Sequence, residues 1–391
     1  MKKAEKVALA LFGAALVLEI ASCSNASGGG GNATAMPTSQ PESGGSGGGS
    51  QQQTPATYTV TFDTDGGSAV TSQTVTAGQK AARPAAEPTK SGDKTSYVFL
   101  GWYKSDLSAP FDFDSAINET TTIKAKWLEG FVKVEGANFD GSQAITGSNV
   151  FIAGKSYTIP TLYVSDHEVT QGEYEKYCGY DEENTNKNYG DGEDFPAYNV
   201  FWLGAVVYCN LRSIAEHLTP VYSVPSATNP TDPRKWENMG ISCDQSNKLF
   251  AYNCFDISGT ISVDLNANGY RLPTVAEWEY LARGGNLTNS NQTKFSGSDT
   301  VGDVAWYKDN SGGKAHKVKT KDPNGLKLYD MSGNVWEWCY SSITASGEGL
   351  CGGGYSAYHS SGCLIVDRYP QYQPEAGGDF DIGFRVVRNA N

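Results

Sequence analysis

The chain is short of the residues that metal and acid–base chemistry draw on. Its 391 residues hold four histidines, His167, His217, His316 and His359, widely scattered and without metal-ligand spacing. No Cys-x-x-Cys pair or close His/Cys cluster suggests zinc, and no nucleophile-elbow motif suggests a serine or cysteine hydrolase. Positive charge is scarce as well. Thirty Lys and Arg face 43 Asp and Glu, a net charge of −13, which disfavours a nucleic-acid or anionic-membrane surface as partner because both select a basic face. The one apolar run of note, Val7 to Ile20, is too short for a stable membrane span.

That run follows Met1-Lys2-Lys3 and precedes Ala21-Ser22-Cys23, the plan of a secretory signal. Ile20-Ala21-Ser22-Cys23 resembles a bacterial lipobox, which implies a signal over residues 1–22 and acylation of Cys23. The other reading is a plain signal peptide cut nearby, and Glu19 inside the apolar run is an irregularity for either. Residues 23–56, rich in Ser, Gly, Asn, Pro and Gln, have almost nothing to bury and read as a flexible tether. The expectation is an exported lipoprotein anchored in a membrane, at the cell surface or on a periplasmic face. Seven cysteines remain beyond Cys23. An odd number leaves at least one thiol unpaired within the chain, and Cys243 with Cys254, bracketing a short polar loop, is the easiest pair to imagine.

From Tyr58 the composition changes to alternating β-branched and aromatic residues. Tyr58–Phe62 reads as a strand before the Asp63–Gly67 turn. Val70–Val75, Tyr97–Tyr103, Phe111–Asp114 and Thr121–Trp127 complete a unit over residues 57–128. The order Thr-Phe-Asp-Thr-Asp-Gly-Gly, Gly-Trp-Tyr, Ala-Lys-Trp resembles the Listeria–Bacteroides (internalin B-type) repeat. That resemblance implies a small ubiquitin-like β module serving as a spacer or adhesive unit, with a stalk favoured. Phe131–Val134 and Tyr163–Ser165 continue as strands. Thr170 with Glu173, and Thr274 with Glu277, write two capping boxes, the second opening a helix whose buried face is Trp278, Leu281 and Ala282. Val200–Ala215 has helical spacing around Cys209, read as a buried small hydrophobe. Pro220–Asp264 is a polar insertion with little periodicity, and Val304–Tyr307 a buried anchor.

The stretch around which the rest is organised is Asp330-Met-Ser-Gly-Asn-Val-Trp-Glu-Trp-Cys339. In a strand, Trp336 and Trp338 share one face and Glu337 takes the other, facing the preceding turn. Asp330 and Glu337, with the carbonyls of that turn, make either a solvated bend or an all-oxygen site of the kind hard cations such as calcium favour.

The same stretch resembles the signature of the formylglycine-generating-enzyme (sulfatase-modifying-factor) family. So do Val164–Tyr174, Gly269–Arg283 and Ile382–Arg388, in the family's order, across residues 131–391. The resemblance implies an α+β, C-type-lectin-like fold, loop-rich, and a calcium held by the Asp330 and Glu337 side chains with the Gly333 and Val335 carbonyls. The family's enzyme is an oxidase relying on two cysteines five positions apart. Here those positions are Ala357 and Gly362, with Cys363 one residue late. A thiolate pair is what selects soft copper(I), so neither copper nor catalysis is expected. The competing reading is an oxidase using Cys363 with Cys351 or Cys339.

Where the family's active-site groove lies, the chain carries Tyr355, Ala357, Tyr358, His359, Ser360, Ser361, Asp367, Tyr369, Gln371 and Tyr372. Tyrosine with serine and small residues is the composition of adaptable binding surfaces; a loop that has drifted after loss of catalysis is the alternative. The expected partner is a protein or glycan at the cell surface. Proteins of this resemblance, treponemal ones among them, also serve as displayed variable proteins of diversity-generating retroelements.

Overall fold

The computed structural model describes residues 54–141, 152–179, 187–237, 241–243, 249–251, 261–285, 292–340, 348–357, 359–372 and 380–390. The leader, Cys23, the tether through residue 53, Cys254 and Tyr358 lie outside these residues. Among the described residues, no helix is long and apolar enough to cross a membrane.

The chain opens with one four-stranded sheet, β1 (Thr57–Asp63), β2 (Gln73–Thr76), β3 (Tyr97–Lys104) and β4 (Thr121–Glu129), in the order β2-β1-β4-β3. The first and last strands lie parallel at its centre, Val60 opposite Thr121 and Asp63 opposite Lys124. A parallel central pair is the feature a ubiquitin-like module needs, although no helix forms anywhere between residues 54 and 130. Alternation builds the core: Val60 and Phe62 from β1, Ile123 and Ala125 from β4, closed by Trp102. Two expected strands differ. Val70–Ser72 stays outside β2, and Phe111–Asp114 runs into a turn in place of a strand, with the Phe111 and Phe113 rings packed edge to face, centroids 4.9 Å apart.

β4 runs directly through Gly130 into β5 (Phe131–Val134). Next come the paired strands β6 (Ala137–Asp140) and β7 (Ser156–Ile159), then β8 (Leu162–Ser165), α1 (Gln171–Tyr177) and α2 (Trp202–Ala215). The polar insertion contributes short antiparallel pairs, β9 (Tyr222–Ser223) with β12 (Ser262–Val263) and β10 (Ile241–Cys243) with β11 (Leu249–Ala251). After α3 (Val275–Ala282) come two single turns, α4 (Val301–Val304) and α5 (Lys308–Ser311). The last strands are β13 (Trp336–Cys339), β14 (Glu348–Cys351), β15 (Arg368–Tyr372), β16 (Ile382–Gly383) and β17 (Val387–Asn389). They form one sheet ordered β15-β14-β13-β16 and another ordered β17-β8-β5. The result is the expected α+β, loop-rich architecture.

Both capping boxes form. Thr170 Oγ1 accepts from the Glu173 amide and the Glu173 side chain accepts from the Thr170 amide; Thr274 and Glu277 repeat the exchange. All eight residues of α3 are buried, not only the three expected, because the helix is wrapped by β7 and β14. The repeat is not held off from the head. Val98 of β3 and Leu128 of β4 belong to the head's main apolar cluster with Phe131, Trp338 and Phe384. The Ser96 amide donates to Asp166 at 3.1 Å, and Lys94 Nζ donates to the Lys319 carbonyl at 3.0 Å.

Candidate functional site

The Asp330–Cys339 stretch builds the centre of the head. Gly333 sits at φ 79° in the turn, where a Cβ would meet the Trp306 carbonyl oxygen at 2.4 Å, so only glycine fits. Asp330 and Asn334 also take left-handed conformations, φ 57° and 63°, which short polar side chains tolerate best. Trp336 and Trp338 do enter one apolar cluster. Glu337 is fully buried, bidentate to Arg385 (2.7 and 2.5 Å), and accepts from Trp278 Nε1 at 2.7 Å. A buried charge needs a partner, and the guanidinium four residues past Asp381 supplies it.

Two further carboxylates share the neighbourhood of Arg385. Glu168 accepts from Asn334 Nδ2 at 2.6 Å and from the Val335 amide at 3.0 Å. Asp330 accepts from the Lys319 amide at 2.8 Å. Burial pushes Asp330 up to about 6, and burial with the charges of Asp330 and Glu337 pushes Glu168 well above the carboxylate range. Three acids share one guanidinium, and the raised values of Glu168 and Asp330 reflect that imbalance. The side chains expected to hold calcium are therefore near one another, but Glu337 already spends both oxygens on Arg385 and Trp278. Among the described residues, no group of three or more His, Cys, Asp or Glu side chains is placed to hold a metal ion. The fit is partial: among the described residues Asp330 engages only Oδ2, and Glu337 would have to be shared.

Asn334 links this centre to the groove. Its carbonyl accepts from the Tyr355 amide at 2.7 Å, and its side chain accepts from the His316 amide at 2.9 Å. Tyr355 follows Gly352-Gly353-Gly354; at Gly353, φ 80°, a Cβ would lie 2.3 Å from the Gly362 carbonyl. The Tyr355 ring is buried and stacks on Tyr189 (6.2 Å), which stacks on Phe380 (4.7 Å). These rings, with Lys308, Ser356 and Asp381, line a cavity of about 290 Å³. Ser356 Oγ donates to Asp381. A small concave site with stacked rings, one cation and one acid has the make-up of a ligand pocket.

Of the other expected groove residues, Ala357 and Asp367 meet around Gly362, where an added Cβ would lie 3.1 Å from Ala357 Cβ and 3.7 Å from Asp367 Oδ2. Ala357 packs into a small cluster with Phe295, Val304 and Cys363. His359 precedes a short 3₁₀ turn, Ser360–Cys363, with His359, Ser360 and Ser361 exposed. Asp367 lies half-buried after that turn. The backbones of Tyr369, Gln371 and Tyr372 are in β15, Tyr369 opposite Leu350; their side chains, like all of Tyr358, lie outside the described residues. Tyr189, Lys308 and Phe380 were not anticipated, since they come from segments far from Tyr355 in sequence and nothing in their local pattern marks them.

Among the described residues Cys209, Cys339, Cys351 and Cys363 are buried free thiols, and Cys178 is buried as well. Burial, with the Asp367 charge, pushes the Cys363 thiol up to about 12, and burial with the neighbouring Cys351 holds Cys339 well above the usual thiol range. Cys363 packs with Phe295, Val304 and Ala305, whereas Cys339 and Cys351 pack with Trp278 and Leu281. The expected alternative pairing of Cys363 with either thiol therefore joins two different clusters.

His167 lies in a charged network. Its Nδ1 is 2.5 Å from Asp166 and its Nε2 3.4 Å from Glu173, while Lys319 Nζ reaches Asp166 at 2.5 Å.

The Sulfatase-modifying factor enzyme 1-like domain family matches residues 118–390, and the Listeria-Bacteroides repeat domain matches residues 58–126. "Chaperone protein LppX" of Paenibacillus barcinonensis is 34% identical over 285 residues, 67% of this chain and 90% of the relative. "Inactive C-alpha-formylglycine-generating enzyme 2" of Mus musculus is 36% identical over 96 residues, 21% of this chain and 29% of its own. Among solved structures, Treponema denticola variable protein 1 superposes with a TM-score of 0.53 at 28% identity, covering 68% of this chain and 96% of that one.

Proposed function

Because the chain belongs to the sulfatase-modifying factor enzyme 1-like family, we propose that its head keeps the family's fold and groove without the oxidase chemistry and works as a ligand-binding domain. The observation that carries this reading is the groove itself. Alanine stands where the first catalytic cysteine is expected, and the nearby Cys363 thiol is buried and protonated at neutral pH, whereas a nucleophilic or metal-binding cysteine needs its thiolate. Beside it the Tyr355–Tyr189–Phe380 stack lines an amphipathic cavity. The likeness to a protein named a variable protein supports display of this groove, and the segment before Gly383 is the part we propose is varied. The ligand is a protein or glycan met outside the cell, reached from a membrane to which Cys23 anchors the chain.

The test is direct. The purified chain, with or without copper, leaves a sulfatase-motif peptide unmodified; formylglycine that appears with wild type and vanishes with Cys363→Ser returns the oxidase. Labelled palmitate enters wild type but not Cys23→Ala, and equal labelling of both removes the anchor.

A second reading follows from the relative named a chaperone, whose length the match nearly spans. On this reading the groove receives a folding polypeptide, and the chain suppresses aggregation of an unfolded client at stoichiometric amounts, an effect lost in Tyr355→Ala.

Calcium is a separate proposal. The excess of buried carboxylate around Arg385 supports a cation at Asp330 and Glu337 with the Gly333 and Val335 carbonyls, and the sharing of Glu337 with Arg385 implies weak affinity.

A further inference from the structure

A second and larger cavity, about 590 Å³, opens where the repeat sheet meets the head, and it shares no lining residue with the aromatic groove. Lys126, Trp127 and Tyr103 line it from the repeat; Tyr163, Arg212 and Arg388 line it from the head. The cations on its wall are held in an unusual way. Arg388 is 7% exposed, and its guanidinium lies over Tyr163 (5.0 Å) and Tyr270 (5.6 Å). Among the described residues it forms no ion pair and donates no side-chain hydrogen bond, and its Nε is buried without a partner. Lys126 likewise lies over Tyr103 at 4.7 Å, with no carboxylate partner among the described residues.

Arg212 shows the ordinary arrangement by contrast. Its Nε donates to Glu216 at 3.1 Å and its Nη1 to Tyr208 at 3.1 Å, and Glu216 also accepts from Tyr270 Oη at 2.7 Å. Glu216 is thereby engaged within the head. Glu129, at the rim, accepts from the Tyr97 hydroxyl at 3.4 Å.

A guanidinium pinned by carboxylates has spent its donors. One pinned by aromatic faces is fixed in place with its N–H groups unspent. A largely buried guanidinium without an acceptor is costly to keep, and an oxyanion removes that cost through two parallel hydrogen bonds. The ligand's charge should be small. Glu129 at the rim and the net −13 of the chain oppose a dianion such as phosphate more than a carboxylate. The remaining wall mixes apolar Leu100 and Leu128 with polar His217 and Asn268, which suits a ring that is apolar on its faces and hydroxylated at its edge.

We propose that the cleft between repeat and head binds an acidic sugar, its carboxylate on Arg388 and Lys126. This site is independent of the ligand reading of the aromatic groove, and either holds if the other fails.

Ligand-observed NMR and calorimetry of the intact chain test it, with D-glucuronate as probe, D-glucose as its neutral counterpart and inorganic phosphate as competitor. Wild type binds glucuronate at least tenfold more tightly than glucose, and equimolar phosphate does not displace it. Arg388→Gln loses tenfold or more in affinity; Lys126→Gln loses about threefold, in line with a charge at the rim. Equal binding of glucuronate and glucose, displacement by equimolar phosphate, or unchanged affinity in a folded Arg388→Gln chain overturns the proposal. Should Arg388→Gln fail to fold, the half-exposed Lys126→Gln decides: unchanged affinity there overturns it too.

Discussion

In the repeat, Val60, Phe62, Ile123 and Ala125 alternate along two paired strands and close a core with Trp102. In the head, the turn at Asp330, the strand Trp336–Cys339 and the segment at Glu168 are joined by Arg385 and Asn334 at single atoms. The first region distributes its stability over a periodic pattern, so that one altered side chain removes one increment. The second concentrates stability in a few charged contacts in a dry interior, where removing one partner leaves the others unsatisfied.

The largest expected effect follows from that contrast. Arg385→Ala leaves Glu337 buried without its partner and costs about 3–5 kcal/mol, read as a fall in the urea midpoint. A loss below about 1 kcal/mol would mean that water or protons compensate the acids, and the contrast would fail.

Acid titration comes next. Asp166 is lowered to about 2 by His167 and Lys319 against the opposing effect of burial. Its folded value lies below its unfolded one, so its stabilisation is present above about pH 4 and disappears as pH falls toward 2, roughly 2 kcal/mol. His167 is raised by Glu173 and Asp166 although burial opposes. That contribution is complete below about pH 6.5 and is lost as pH climbs through the folded value. Stability measured from pH 2 to 9 should therefore be greatest between these limits, and Asp166→Asn should flatten the acid limb; an unchanged limb would show that other carboxylates set it.

Ile123→Val in the repeat should cost about 0.5–1.5 kcal/mol, and Thr274→Ala about 1 kcal/mol, each measured by the same denaturation. A loss at Ile123 as large as that of Arg385→Ala would erase the distinction between the two regions. The smallest effect expected is from calcium: millimolar calcium raises Tm by a few degrees at most, consistent with weak binding to the folded state only, and Asp330→Ala abolishes the rise. Indifference of wild type to calcium and chelator alike removes the cation.

The same contrast explains what could be read from the residues alone. The two capping boxes were legible because the exchange runs between residues three apart, and Trp336 with Trp338 because strands alternate. The family motifs located Glu337 and Arg385, but nothing local says that they meet across 48 residues, or that Glu168 joins Asn334 across 166. The contact of Glu337 with Arg385 was accordingly not foreseen. The groove was half legible. Tyr355 lay in the expected segment, but Tyr189 and Phe380 reach it only through the turns that the glycines and Asn334 permit. The packing of Val98 and Leu128 into the head was likewise hidden, because a strand's period says which face is apolar and not what will cover it.

The parallel pairing of β1 with β4 has a mechanical consequence. A pull on the chain before Thr57, resisted by the head beyond Glu129, draws the two central strands in opposite directions along their length. Four residue pairs, Val60–Thr121 through Asp63–Lys124, then bear the load together in shear instead of parting one at a time like a zip. The small repeat is in this sense a force-bearing coupling between the chain before Thr57 and the head.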